Sequence, residues 1–234
     1  MTRNILVWDL ETIPDIGGFA RTNNLIDKSP DEIRTAIGDD FPKLIYHSIV
    51  CIGALVAKRV QSGWEVQAVG APHVGQRPEK ELIESFVYKI AQLSPQLVSY
   101  NGCGFDLPVL RYRAMLHNVF APGMHNRAYF HRYTDDNVDC DVLSSFSYGA
   151  KVKLAELSRI MGLPGKPDGI DGSQVEKYFN AGRIQDIADY CRSDVINTYR
   201  LWLRHELFRG RLDESQFEYS EQNVGRFVIP NENP

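Results

Sequence analysis

The first apolar run of the chain, Ile5-Leu6-Val7-Trp8, stops at an acid, Asp9. A short unbroken apolar run of this kind predicts a buried strand over Asn4 to Asp9. Residues 14–43 lose the pattern. Pro14, Gly17, Gly18, Pro30, Gly38 and Pro42 punctuate them, around a weakly helical patch from Asp31 to Ile37. Ile45 to Val60 is β-rich, Ser62-Gly63 makes a turn, and Trp64 to Val69 alternates as a returning strand. The first three strands therefore read as an antiparallel meander. The period then changes from two to three or four. Leu82, Ile83, Phe86, Val87 and Ile90 form a helical stripe between Pro78 and Leu93, and Pro95 ends it. Leu97 to Tyr100 predicts a strand, Asn101-Gly102 a turn, and a helix follows Asp106 with Pro108 in its first turn. A strand is expected over Val138 to Val142, and short helices over Leu154 to Met161 and Ser173 to Asn180. The strongest helical face runs from Ile184 to Phe208, through Ile187, Ala188, Cys191, Val195, Tyr199 and Trp202.

This order of elements predicts an α/β architecture, a mixed five-stranded sheet flanked by helices. Nothing marks an internal boundary, so residues 1–234 are expected to form one domain. The polar stretch of about 210–234 reads as a peripheral, fraying tail.

Composition narrows the class. The chain has 234 residues, 43% hydrophobic and 24% charged, and it resembles an ordinary soluble globular protein. No stretch is apolar enough to cross a bilayer, and the N-terminus does not read as a secretory signal. Cys51, Cys103, Cys140 and Cys191 form no C-x-x-C pair, which argues against zinc and for reduced thiols in a cytoplasmic protein. The net charge of −4 argues against coating of nucleic acid by bulk electrostatics. It leaves room for a local basic strip, because screening acts over about 8 Å at physiological salt.

Three short clusters carry candidate chemistry. Asp9 and Glu11 stand two apart in V-W-D-L-E-T and, on a strand, project from one face. Asp106 closes Y-N-G-C-G-F-D at a helix start, where an acid also serves as a cap. Tyr190 and Asp194 lie one turn apart in Y-C-R-S-D, beside the apolar stripe. Each has a bland reading, respectively a solvated pair, a helix cap and an ordinary helix rim. Together, four carboxylates and a tyrosine suit hard divalent cations and phosphodiester chemistry.

In order, spacing and context these motifs resemble the DEDD superfamily of 3′→5′ exonucleases in its tyrosine subclass. The likeness is to the stand-alone exonucleases related to the proofreading domain of family B DNA polymerases. It also takes in G-L-P-G-K-P-D-G-I-D-G-S-Q-V and the stretch around D-I-A-D-Y-C-R-S-D, and it spans roughly residues 4–205. The histidine subclass would place His at 189, where this chain has Asp189. The resemblance implies a ribonuclease H-like fold and two ions, Mg²⁺ or Mn²⁺. Asp9 would bridge them, Glu11 and Asp194 would hold one, and Asp106 would help hold the other. Tyr190 would orient the attacking water. Thr12, Asn101 and Phe105 match positions near the terminal nucleotide.

The interval between Asp106 and Asp135 holds no acid. It carries Arg111, Arg113, Arg127 and Arg132, three histidines, and interleaved aromatic residues. Such a strip would suit a single strand, and an amphipathic helix with a surface loop explains it equally. Lys151, Lys153 and Lys166 are weaker candidates for phosphate contact. Asp139 and Asp141 are expected to end a strand and cap a helix rather than bind metal. The expected partner is nucleic acid, single-stranded DNA 3′ ends, and the expected function is stepwise release of nucleoside 5′-monophosphates. The alternatives are an exoribonuclease or oligonucleotidase with the same site, or a non-catalytic nucleic-acid-binding scaffold. A dehydrogenase is disfavoured, because no glycine-rich loop follows the first strand.

Overall fold

The first strand, β1 (Asn4–Pro14), runs five residues past Asp9 and is the centre of the sheet. In this computed structural model residues 3–38, 40–131, 134–140, 152–163 and 172–228 are described. β1 pairs antiparallel with β2 (His47–Val60), which pairs antiparallel with β3 (Gly63–Gly70). On its other side β1 pairs parallel with β4 (Gln96–Ser99), and β4 with β5 (Asn137–Asp139). The order is β3-β2-β1-β4-β5, with β2 alone running against the other strands. This is the mixed five-stranded α/β sheet expected from the sequence, and its topology is ribonuclease H-like.

The helices in chain order are α1 (Ile16–Thr22), α2 (Pro30–Ile37), α3 (Glu79–Leu93), α4 (Asp106–Leu116), α5 (Leu154–Ile160), α6 (Val175–Asn180), α7 (Ile184–Phe208) and α8 (Glu214–Gly225). They cover both faces, so β1 is apolar on both. Ile5 and Val7 pack with Val195, Tyr199 and Trp202 of α7. Leu6, Trp8 and Leu10 pack with Ile83, Phe86 and Ile90 of α3 and with Leu107 of α4. Strand parity therefore aims Asp9 and Glu11, which continue the Ile5–Val7 set, at α7.

Three parts of the fold depart from expectation. β5 stops at Asp139, and Cys140, expected within that strand, is helical. Residues 16–22, read as irregular because of Gly17 and Gly18, form α1, capped by Asp15, whose side chain accepts from the Gly18 amide. The stretch after Arg209 is no frayed tail over its described length. α8 carries a capping box, Asp213 with Gln216, and lies against β3. Its Ser220 and Asn223 side chains accept from the Trp64 and Val66 amides at 2.8 and 2.7 Å, so the open edge of β3 is covered.

A buried ion network ties the elements around the end of β1. Arg113 of α4 donates to Glu79 at the start of α3 (2.7 and 2.5 Å) and to Asp15 just after β1 (2.6 Å). Glu79 also accepts from the Ile49 amide of β2 and pairs with His117.

Candidate active site

Beyond Val7, β1 has outrun its parallel partner β4. The Leu10 amide, with no β4 residue opposite, donates instead to Asp106 Oδ1 at 2.8 Å. That bond sets the second motif against the first, because Leu10 sits between Asp9 and Glu11. A register shift between Glu11 and Thr12 marks a bulge at the same point. Bulges re-aim side chains, and this one falls where the two acids leave the strand.

The loop 101–105 brings Asp106 into place. Asn101 adopts a left-handed conformation (φ 61°), one that asparagine tolerates better than most residues. Its amide donates to Asp139 Oδ1 at 2.7 Å, and the Cys103 amide donates to Oδ2 at 2.9 Å. Asp139 ends β5, as expected, and in addition clamps this loop. The need for a clamp is visible only in three dimensions. Gly102 allows a close approach there, since a Cβ on it would stand 2.1 Å from Ser99 Oγ.

The third motif arrives on α7. Cys191 and Val195 lie over Gly53 of β2, the residue paired with Asp9. Cys191 Sγ is 3.6 Å from Asp9 Oδ2, and ligand atoms of Asp9, Glu11 and Cys191 lie within 4.8 Å of one another. Sequence reasoning treated this thiol as bland core. Its only signal was its place beside Tyr190. Tyr190 hydrogen-bonds Asp194 and feels the charges of Asp194, Glu11 and Asp9. Both residues are buried, at 4% and 6% exposure, rather than standing on an open helix rim.

The structure thus brings Asp9, Glu11, Tyr190 and Asp194 together, with Asp106 hydrogen-bonded to the backbone between the first two. Glu11 and Asp106 are buried as well, at 6% and 3% exposure. Burial pushes the Asp106 carboxyl up to about 7. The Leu10 amide opposes that shift and the Asp139 charge adds to it. The Tyr190 phenol is driven well above its ordinary range, first by burial and then by the acids around it, and it keeps its proton. The Cys191 thiol is pushed up by burial and by its contact with Cys51, so it too stays protonated. A donor set of hard carboxylate oxygens gathered in a desolvated cleft fits divalent cations, whose charge offsets this repulsion.

The remaining candidates divide. Thr12 Oγ1 pairs with His47 Nδ1 at 2.9 Å, and Phe105 packs against the His47 ring. Arg113 is consumed by the Glu79–Asp15 network, and Arg127 pairs with Asp136 at 2.5 Å. Neither is a free cation for a phosphate backbone, which corrects the reading of the basic strip. Arg111 lies over the Tyr112 and Phe130 rings. Lys153 is exposed just before α5. Arg132, Asp141, Lys151 and Lys166 fall outside the described residues. No helix among those described is long and apolar enough to cross a membrane.

The chain thus combines a ribonuclease H-like sheet with acids collected at the end of its central strand. The comparisons make the family plain. Residues 39–233 match the model of a family described as predicted 3′-5′ exonucleases related to the exonuclease domain of PolB, and the chain belongs to that family. The matched span begins after β1, so it does not rest on Asp9 or Glu11. A search of curated proteins returned no match. One solved structure it resembles is an ExoI/SSB-Ct complex, at 13% identity and a TM-score of 0.38. That alignment takes in 89% of this chain but only 46% of the other, so the present chain spans under half of that length.

Proposed function

We propose that this chain is a metal-dependent 3′→5′ exonuclease that shortens single-stranded DNA, releasing nucleoside 5′-monophosphates. The convergence of Asp9, Glu11, Asp106, Tyr190 and Asp194 from three distant stretches carries the reading. Asp9, Glu11, Asp106 and Asp194 would hold two Mg²⁺ or Mn²⁺ ions. Bound there, the ions would neutralise the phosphodiester and activate water. Tyr190 retains its proton and orients the attacking water through its hydroxyl rather than abstracting from it. Water adds to phosphorus, the bond to the 3′ oxygen of the penultimate nucleotide breaks, and that oxygen takes a proton. Asn101 and Phe105, beside Asp106, and Thr12, beside Glu11, border the terminal nucleotide.

The test offers end-labelled single-stranded DNA, duplex DNA and RNA side by side with Mg²⁺ or Mn²⁺. The expected result is a ladder that shortens from the 3′ end, fastest on single-stranded DNA and absent in Asp9→Ala. Faster degradation of RNA would make the protein an exoribonuclease. Strand binding without hydrolysis under either ion would make it a non-catalytic scaffold.

A further inference from the structure

Phe41 is 71% exposed, yet its ring is not isolated. It lies 4.9 Å from the His47 ring and 5.6 Å from Phe105, while His47 and Phe105 are 5.2 Å apart edge to face. The three rings close a triangle. Its buried corner is His47, at 4% exposure, and both of its nitrogens are engaged. Nδ1 meets Thr12 Oγ1 at 2.9 Å and Nε2 meets the Pro42 carbonyl at 3.2 Å. A neutral imidazole satisfies both bonds, donating from Nε2 and accepting at Nδ1. His47 therefore ties the Phe41-Pro42 backbone to β1. Two members of the assembly, Thr12 and Phe105, stand one residue from Glu11 and Asp106.

We propose that Phe41, held by His47 against Phe105, is a stacking platform for the 3′-terminal nucleobase of a single strand entering the carboxylate site. The proposal rests on the nuclease reading above and adds a substrate-binding element from outside the three acidic motifs. An exposed phenyl ring adds nothing to the core, and this one touches Phe105, the residue before Asp106. Every base offers a π face, so the contact is indifferent to sequence. A duplex end keeps its terminal base stacked and paired, so the platform favours single strands.

The test uses the Asp9→Asn background, in which binding is read without turnover. The probe is a DNA strand carrying 2-aminopurine at its 3′ end, with the same strand ending in an abasic residue as control. Base stacking is lost on alanine substitution with a roughly 5- to 150-fold drop in affinity. Phe41→Ala is expected to weaken the base-ended strand within that range and to leave the abasic-ended strand unchanged. Phe41→Trp should preserve both affinity and fluorescence quenching. Equal weakening of both strands, or no weakening of either, would overturn the platform. Phe41 is exposed, so its substitution leaves the fold intact. Absence of hydrolysis by the unsubstituted protein would overturn the nuclease reading instead, and the binding contrast still decides the platform.

Discussion

Gly53 is the point at which the sheet admits the helix carrying the third motif, and adding one methyl group there tests the whole seating. A Cβ at Gly53 would stand 2.7 Å from Cys191 Sγ, 2.8 Å from Val195 Cγ2 and 3.2 Å from the Cys191 carbonyl. Ordinary contact begins at 3.4 Å, so α7 must retreat by about 0.7 Å or the side chains must turn. Gly53 is not in the left-handed region, so alanine brings no backbone strain and the effect is purely steric. Overpacking of this kind costs ~1–3 kcal/mol. The larger consequence is functional. Cys191 and Val195 bracket Asp194, and Asp9 is paired with Gly53, so the retreat separates the acids of α7 from those of β1. A misplacement approaching 1 Å at a reacting centre lowers a rate by about 10²-fold. The assay pairs a urea titration with the rate of laddering of a labelled single strand. Gly53→Ala should lose rate out of proportion to stability. Adding Cys191→Ala and Val195→Ala should restore part of the rate, because they remove the two closest atoms. If Gly53→Ala leaves both the rate and the urea midpoint unchanged, α7 is not seated on Gly53 and the geometry argued here is wrong.

Arg113→Met should cost ~1–3 kcal/mol in a urea titration, because it removes the buried cation shared by the partly buried Glu79 and Asp15, which keep only their bonds to the Ile49 amide and His117 and to the Gly18 amide. Removing residues 214–228 bares the Trp64 and Val66 amides and the open edge of β3, and light scattering should show aggregation. His47 is held below its ordinary pKa of 6.5 by burial, an effect only partly offset by the Pro42 carbonyl. The unfolded chain therefore binds a proton that the folded one refuses, and stability present above that pKa is lost as the pH falls through it. Urea midpoints should drop from about pH 8 to about pH 5, and drop less in His47→Gln.

Strong periodicity made some elements legible. The stripe of α3, the long face of α7 and the β2–β3 hairpin follow directly from where apolar residues fall. α8 was illegible because it docks through polar groups. Ser220 and Asn223 serve a strand edge, and no hydrophobic period announces that role. α1 was hidden by two glycines and depends on the Asp15 cap. At the site, strand parity foretold that Asp9 and Glu11 share a face. The bulge after Glu11 and the seating of Cys191 over Gly53 depend on pairings between distant segments. Arg113 and Arg127 looked available because their carboxylate partners, Asp15, Glu79 and Asp136, lie outside the acid-free interval that contains them.

The bond from the Leu10 amide to Asp106 gives one side chain two jobs. One of its oxygens plugs a gap in the sheet where a neighbouring strand has run out. Truncation to alanine would orphan a buried donor, at a cost of ~1–3 kcal/mol, as well as deleting a charge. Asparagine can keep an acceptor facing Leu10 and remove the charge alone. Comparing the two replacements at this one position separates what Asp106 does as masonry from what it does as chemistry.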